Sequence, residues 1–158
     1  MQKVIIAVVL LFSVLGPIPL SMSSIAMSGR AGISWEAWLP AIAQAESDGY
    51  VWAVSKKGAH HGRGKYQISE IALQHYIWEH PGTEWMEPKC LFNTNIARVI
   101  ALWYLNKASR VYDEIEYPSS RFAFVLSAYN VGIAGTISNG INHAYVSRVY
   151  GKRRYMVD

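Results

Sequence analysis

Apolar positions recur along this chain in two different ways. From Val4 to Leu15 they form a nearly unbroken, uncharged run, preceded by Lys3 and followed by Gly16, Pro17, Pro19 and the small residues Ser21 to Ala26. From residue 34 onward they return at helical spacing, separated by polar positions and turn signals. Ser34 is placed to cap a helix running to about Ser47, with Glu36 in its first turn and Trp38, Ile42 and Ala45 on one side. Pro40 falls in the first or second turn, so the regular helix is expected to begin late. Residues 48–67 carry Gly49, Gly58, Gly62 and Gly64 and read as a loop, with a short extended piece at Val51–Ser55. Ser69 caps a second helix to about Glu79, which His80-Pro81-Gly82 ends. A third runs from about Asn93 to Ala108 with Ile96, Val99, Ile100 and Trp103 in register. Pro118-Ser119 opens a fourth, with Phe122, Val125, Leu126 and Tyr129 on one face and Gly132 where a C-terminal glycine belongs. Two short helices flank Asn139-Gly140. The pattern predicts a mainly α single domain with a glycine-rich loop or small β element after the first helix.

The N-terminal run changes the picture of where the protein works. A basic start, an apolar stretch of about 12 residues and a small-residue exit make a secretory signal. Ser24-Ile25-Ala26 fits the cleavage pattern, so residues 1–26 are expected to be removed, leaving 27–33 as a short linker and a periplasmic or secreted protein. An uncleaved anchor needs roughly 20 apolar residues, and two prolines interrupt this run. No stable membrane insertion is expected after cleavage, and no cysteine follows the run to take a lipid.

Composition narrows the class further. Of 158 residues, 51% are hydrophobic and 16% charged, which excludes a disordered chain. Cys90 is the only cysteine, which excludes a disulfide framework. The net charge is +4, and Arg148, Lys152, Arg153 and Arg154 crowd the end of the chain. Residues 152–158 are expected to form a basic tail, with a solvated terminal helix as the alternative. An exported protein meets an anionic envelope polymer rather than nucleic acid.

Candidate chemistry is sparse. Glu46 ends the first helix after Ala43-Gln44-Ala45. A carboxyl at the edge of an apolar face is desolvated, which raises its pKa toward that of a general acid. A helix C-terminus also disfavours its negative charge. A surface glutamate near a helix end is the competing reading. The segment Gly62-Arg63-Gly64-Lys65-Tyr66-Gln67-Ile68-Ser69 is not a phosphate loop, because Gly58 and Gly64 stand one residue too far apart and Tyr66 follows Lys65. His60 and His61 point apart, and His75 and His80 share no helix face. No cysteine or acid completes a site, so neither metal nor cofactor is expected.

Five blocks then coincide with a known family. They are Glu46-Ser47 with Ala53-Val54-Ser55; Gly58-Ala59 leading to Gly64-Lys65-Tyr66-Gln67-Ile68; Asn95-Ile96 entering a helix that reaches Tyr104-Leu105; Ala128-Tyr129-Asn130-Val131-Gly132; and Tyr145-Val146 with Val149. In this order and spacing the chain resembles the catalytic domain of the soluble-type lytic transglycosylases, the SLT domain. These share the lysozyme-like fold with goose-type lysozymes. The resemblance covers about residues 35–150 and makes 34–151 the catalytic domain. The chain departs from the family in a longer loop between Ala59 and Gln67, and in Lys65-Tyr66, where the family has an apolar pair on the cleft floor.

The resemblance implies a substrate, the glycan strands of peptidoglycan, cut between N-acetylmuramic acid and N-acetylglucosamine. It implies Glu46 as the single acid and base, with a 1,6-anhydro product and no water consumed. Ser47, Gln67, Tyr129 and Asn130 would hold substrate or position Glu46, with Tyr66 and Tyr145 along the cleft. Plainer roles stand beside these: a local backbone partner for Ser47, core packing for Tyr129, helix termination for Asn130. Ordinary glycosidases need a second carboxylate. Asp48 lies about 200° around the helix from Glu46, and no acid occurs between Asp48 and Glu70, which is expected on an exposed face. Tyr50 and Trp52 are candidates for stacking on sugar rings. A goose-type hydrolase, a chitin-acting relative and a non-catalytic wall-binding scaffold are the alternatives. A monomer is expected, with a secretion-machine or phage partner left open.

Overall fold

The computed structural model describes residues 33–55 and 61–154. The expected signal peptide, the linker up to residue 32, His60, the Gly58-Ala59 pair and residues 155–158 lie outside the described residues.

Pro40 decides how the chain enters its first helix. Trp35–Trp38 form a tight 3-10 turn, and the α-helix α1, Leu39–Ser47, begins with the proline inside its first turn, where its missing N–H costs nothing. The cap expected from Ser34 does not form: its side chain makes no capping bond, and only its carbonyl accepts, from Ala37 N–H at 3.1 Å. α1 buries Leu39, Ala41, Ile42 and Ala43 and stops at Asp48, whose φ of 52° is left-handed.

The glycine-rich stretch folds into a two-stranded antiparallel hairpin, β1 (Gly62–Arg63) and β2 (Ile68–Ser69), pairing Gly62 with Ser69 and Arg63 with Ile68. The extended piece expected at Val51–Ser55 is reduced to a single bridge, Val54 to Arg63. Gly64 explains why the strands form later in the chain. Its φ is +72°, and a β-carbon there would run into the backbone carbonyl of Leu91, so the hairpin turns at the residue with no side chain.

Ser69 caps α2 (Glu70–Glu79) as expected, its hydroxyl accepting from Ala72 N–H at 3.1 Å. Asn93 does the same for α3 (Thr94–Ile115), accepting from Asn95 and Ile96. α3 runs two turns past its expected end at Ala108, because Val111 and Tyr112 continue the apolar stripe against the core. The fourth helix, α4 (Arg121–Val131), starts after Ser120 rather than at Pro118-Ser119. The Tyr112 hydroxyl donates to the Ser119 carbonyl at 2.6 Å and holds that segment as a turn. Gly132, at φ +82°, separates α4 from α5 (Ile133–Asn139). α6 (His143–Arg154) takes in Lys152, Arg153 and Arg154, so these belong to a helix and not to the expected tail.

α4 is the centre of the domain. Phe124, Val125, Leu126, Ser127 and Ala128 are all fully buried, and the helix packs against α3, α5 and α6. α1 packs on α6, joining the first described helix to the last. The buried Ser127 hydroxyl is satisfied by Thr136 at 3.1 Å and by Asn142 N–H at 2.8 Å. Among the described residues no helix is long and apolar enough to cross a membrane.

Gly64→Ala is expected to destabilise the fold by at least about 2 kcal/mol, since a new β-carbon adds a backbone clash to left-handed strain. Gly82, at φ +93°, has open space where its side chain would be. Gly82→Ala should cost only about 1–2 kcal/mol. Urea denaturation of the two variants measures the difference.

Candidate active site

Glu46 sits in the last turn of α1, half-buried where α1 meets α6. The packing brings the Tyr145 hydroxyl against its carboxyl, donating to Oε1 at 2.6 Å across 99 positions of sequence. Burial pushes the Glu46 pKa up, while the Tyr145 bond and the positive charge of Arg148 pull it part of the way back. The net shift favours the protonated carboxyl. Tyr145 is 2% exposed, and burial beside Glu46 drives its own ionisation far out of reach. It therefore stays a neutral donor.

The other expected residues converge on the hairpin turn. Three consecutive carbonyls there are each taken by a side chain. Gly64 O accepts from Gln67 Nε2 at 2.9 Å, Lys65 O from Ser47 Oγ at 2.7 Å, and Tyr66 O from the Tyr129 hydroxyl at 2.8 Å. Ser47 also lies 3.2 Å from Ala43 O, the local contact expected of a serine in a helix. Gln67 reaches Ala53 O at 3.1 Å as well, from a left-handed backbone with φ +49°. The ring of Tyr66 is 5% exposed and belongs to the core, which leaves it little surface for a ligand.

A cleft of about 500 Å³ opens beside this turn, between α2, α3 and the α4–α5 junction. Gln67, Tyr129 and Asn130 line it; Glu46, Ser47, Tyr66 and Tyr145 do not. Tyr129 connects the two regions. Burial raises its pKa well above the usual tyrosine value, and the charge of Glu46 adds to the effect. Tyr129 and Gln67 thus line the cleft and also bond the same turn that Ser47, the neighbour of Glu46, holds. The remaining walls of the cleft are mostly apolar, including Ile100 and Ile133, with Tyr104 and His75 among the lining residues.

Asn130 is exposed, and its Oδ1 accepts from Asn142 Nδ2 at 2.9 Å. α4 continues one residue beyond it, to Val131. Asp48 and Glu70 are exposed and engaged elsewhere, Asp48 with Lys152 at 3.4 Å and Glu70 with Arg63 at 2.6 Å. Tyr50 and Trp52 are exposed, and Trp52 rests on Phe92 with ring centroids 5.2 Å apart. Among the described residues no group of three or more His, Cys, Asp or Glu is placed to hold a metal ion.

Two residues escaped the sequence reading. Tyr104 sets its ring edge-on to Tyr129, centroids 6.2 Å apart, and its hydroxyl accepts from Ile133 N–H at 3.3 Å. Only its place in the Asn95–Leu105 block hinted at this. Asn142 caps α6 by accepting from Tyr145 N–H at 3.2 Å while bonding Asn130 and Ser127. An asparagine just before a helix was its available signal.

A family model described as the transglycosylase SLT domain matches residues 23–147, beginning inside the expected signal segment and spanning every residue of this site except Arg148 and Lys152. No curated protein and no solved structure gives a match.

The raised pKa of Glu46 has a consequence for stability. A carboxyl held neutral by the fold stabilises it below the unfolded value, and the benefit is lost as pH rises through the folded pKa. Glu46→Gln removes that loss. Its melting temperature should exceed that of the parent near pH 8, with the gain vanishing near pH 4, as followed by calorimetry.

Proposed function

The chain belongs to the transglycosylase SLT domain family, and from that premise we propose that it cleaves the glycan strands of peptidoglycan without water, using Glu46 as its one acid and base. The observation that carries this reading is a half-buried carboxyl, biased toward its protonated form, held by a neutral donor and, among the described residues, without a second carboxylate bonded beside it. Ordinary glycosidases flank the bond with two carboxylates. Here Glu46 donates its proton to the glycosidic oxygen, and the bond from that oxygen to C1 of N-acetylmuramic acid breaks. The neighbouring N-acetyl oxygen steadies the positive charge that develops. Glu46, now a carboxylate, takes the proton of the C6 hydroxyl as that oxygen closes on C1. The products are a 1,6-anhydro end and a free 4-hydroxyl, and Glu46 is protonated again.

Tyr145 serves both halves of this cycle. Its bond to Oε1 leaves Oε2 for the substrate and steadies the carboxylate formed midway. The cleft beyond Tyr129 suits sugar rings with their hydroxyl and N-acetyl groups, with Gln67 and Asn130 supplying neutral polar contacts on mostly apolar walls. Residues 1–26 would deliver the protein to the envelope, where its substrate lies.

Digestion of purified peptidoglycan with mass spectrometry of the fragments tests the reading. Anhydro-muropeptides are expected; products heavier by one water would replace it with a hydrolase. Glu46→Gln should lower the rate by at least about a hundredfold. Tyr145→Phe removes a donor to ionised Glu46 and so raises its pKa further. The alkaline limb of the pH–rate profile should move to higher pH as the maximal rate falls about tenfold; an unmoved limb would separate Tyr145 from the proton transfer.

A further inference from the structure

One cation near Glu46 makes no ion pair among the described residues. Arg148 lies one turn beyond Tyr145 on α6, exposed, with its guanidinium carbon 5.1 Å from the centre of the Tyr145 ring. Several other basic residues are paired, Lys152 with Asp48, Arg63 with Glu70, Arg121 with Asp113 and Lys107 with Glu79, while Lys65, Arg110, Arg153 and Arg154 also lack an ion pair among the described residues; of the unpaired ones, Arg148 is the one set against the Tyr145 ring. Arg148 forms no ion pair among the described residues. α6 contains no acid, and of the two acids at the end of α1, Asp48 is taken by Lys152 while Glu46 is bonded to Tyr145. The guanidinium therefore stands without an ion-pair partner against the ring of the tyrosine that holds the carboxyl.

Its setting suits one kind of ligand. Stacking on an aromatic face restrains the guanidinium while leaving its N–H edges open, and that planar fork matches a carboxylate. The cleft beyond Tyr129 is lined by no Lys or Arg, so this cation stands outside the neutral groove. The two saccharides of the strand differ in one respect: N-acetylmuramic acid carries a 3-O-lactyl group. That group ends in a free carboxylate or in a peptide that bears carboxylates of its own.

We propose that Arg148 binds a carboxylate borne by the muramic acid residue next to the scissile bond, so that the enzyme selects anionic strands over neutral ones. The proposal rests on the glycan-cleaving reading above and names what distinguishes the strand at that site.

The test is binding by the full chain carrying Glu46→Gln, which uncouples recognition from turnover. The probes are soluble glycan strands with intact peptides and strands stripped of peptides to expose the lactyl carboxylates. Each is also prepared with its carboxylates amidated. Adding Arg148→Gln should weaken binding about tenfold on a carboxylate-bearing strand and less than about twofold on its amidated counterpart. Loss on stripped strands assigns the lactyl carboxylate; loss confined to peptide-bearing strands assigns the peptide. Arg154→Gln removes an equal charge farther along α6 and should leave the contrast intact. Equal weakening on free and amidated strands, or none on either, overturns the proposal. Hydrolytic products from the parent enzyme would overturn the water-free mechanism and leave the Arg148 assignment standing. Failure of the Glu46→Gln chain to bind any strand would sink both.

Discussion

Everything near Glu46 depends on the capture of three successive carbonyls, those of Gly64, Lys65 and Tyr66, by Gln67, Ser47 and Tyr129. Each bond alone contributes about 0.5–1.5 kcal/mol, yet leaving a buried carbonyl without a donor costs about 1–3 kcal/mol. The donors come from the end of α1, the hairpin itself and the end of α4. The loop is thereby tied to both helices that frame the site, without a disulfide bond. Gly64 makes this possible, since any side chain there would displace the loop from Leu91. The polar residues that the family resemblance assigns to substrate are thus first of all fasteners of the loop.

The electrostatics of Glu46 follow from the same packing. Desolvation pushes the carboxyl toward its neutral form, whereas the proposed cycle also needs its charged form. Tyr145 and Arg148 oppose the burial and keep the charged form within reach. Both arrive on α6, which Asn142 starts at the right place by capping its first turn and bonding to Asn130. The end of α4, the start of α6 and the end of α1 are therefore coupled through hydrogen bonds as well as through the core.

Much of the fold was legible because helices announce themselves locally. Ser69, Asn93 and Gly132 mark the ends of α2, α3 and α4 by capping and by backbone freedom, and the helical spacing of apolar residues gives their inward faces. The misreadings occurred where a tertiary contact overrode a local signal. Ser34 lost its cap because Pro40 delayed the helix. The strands formed at 62–63 and 68–69 because the Leu91 carbonyl admits only Gly64 at the turn. α3 outran Ala108 because Tyr112 found Phe124, ring centroids 5.6 Å apart.

For the site, the sequence by itself determined the candidate acid and the scarcity of other acids, since position on a helix and absence from a loop are properties of the chain alone. It also carried the ordered blocks that place the family. Only the tertiary structure decided what surrounds that acid. Tyr145 and Arg148 lie about a hundred residues from Glu46, and no local rule pairs them. Burial, the opposing hydrogen bond and the unpaired cation exist once α6 packs on α1, because a carboxyl's proton affinity is set by what surrounds it in space.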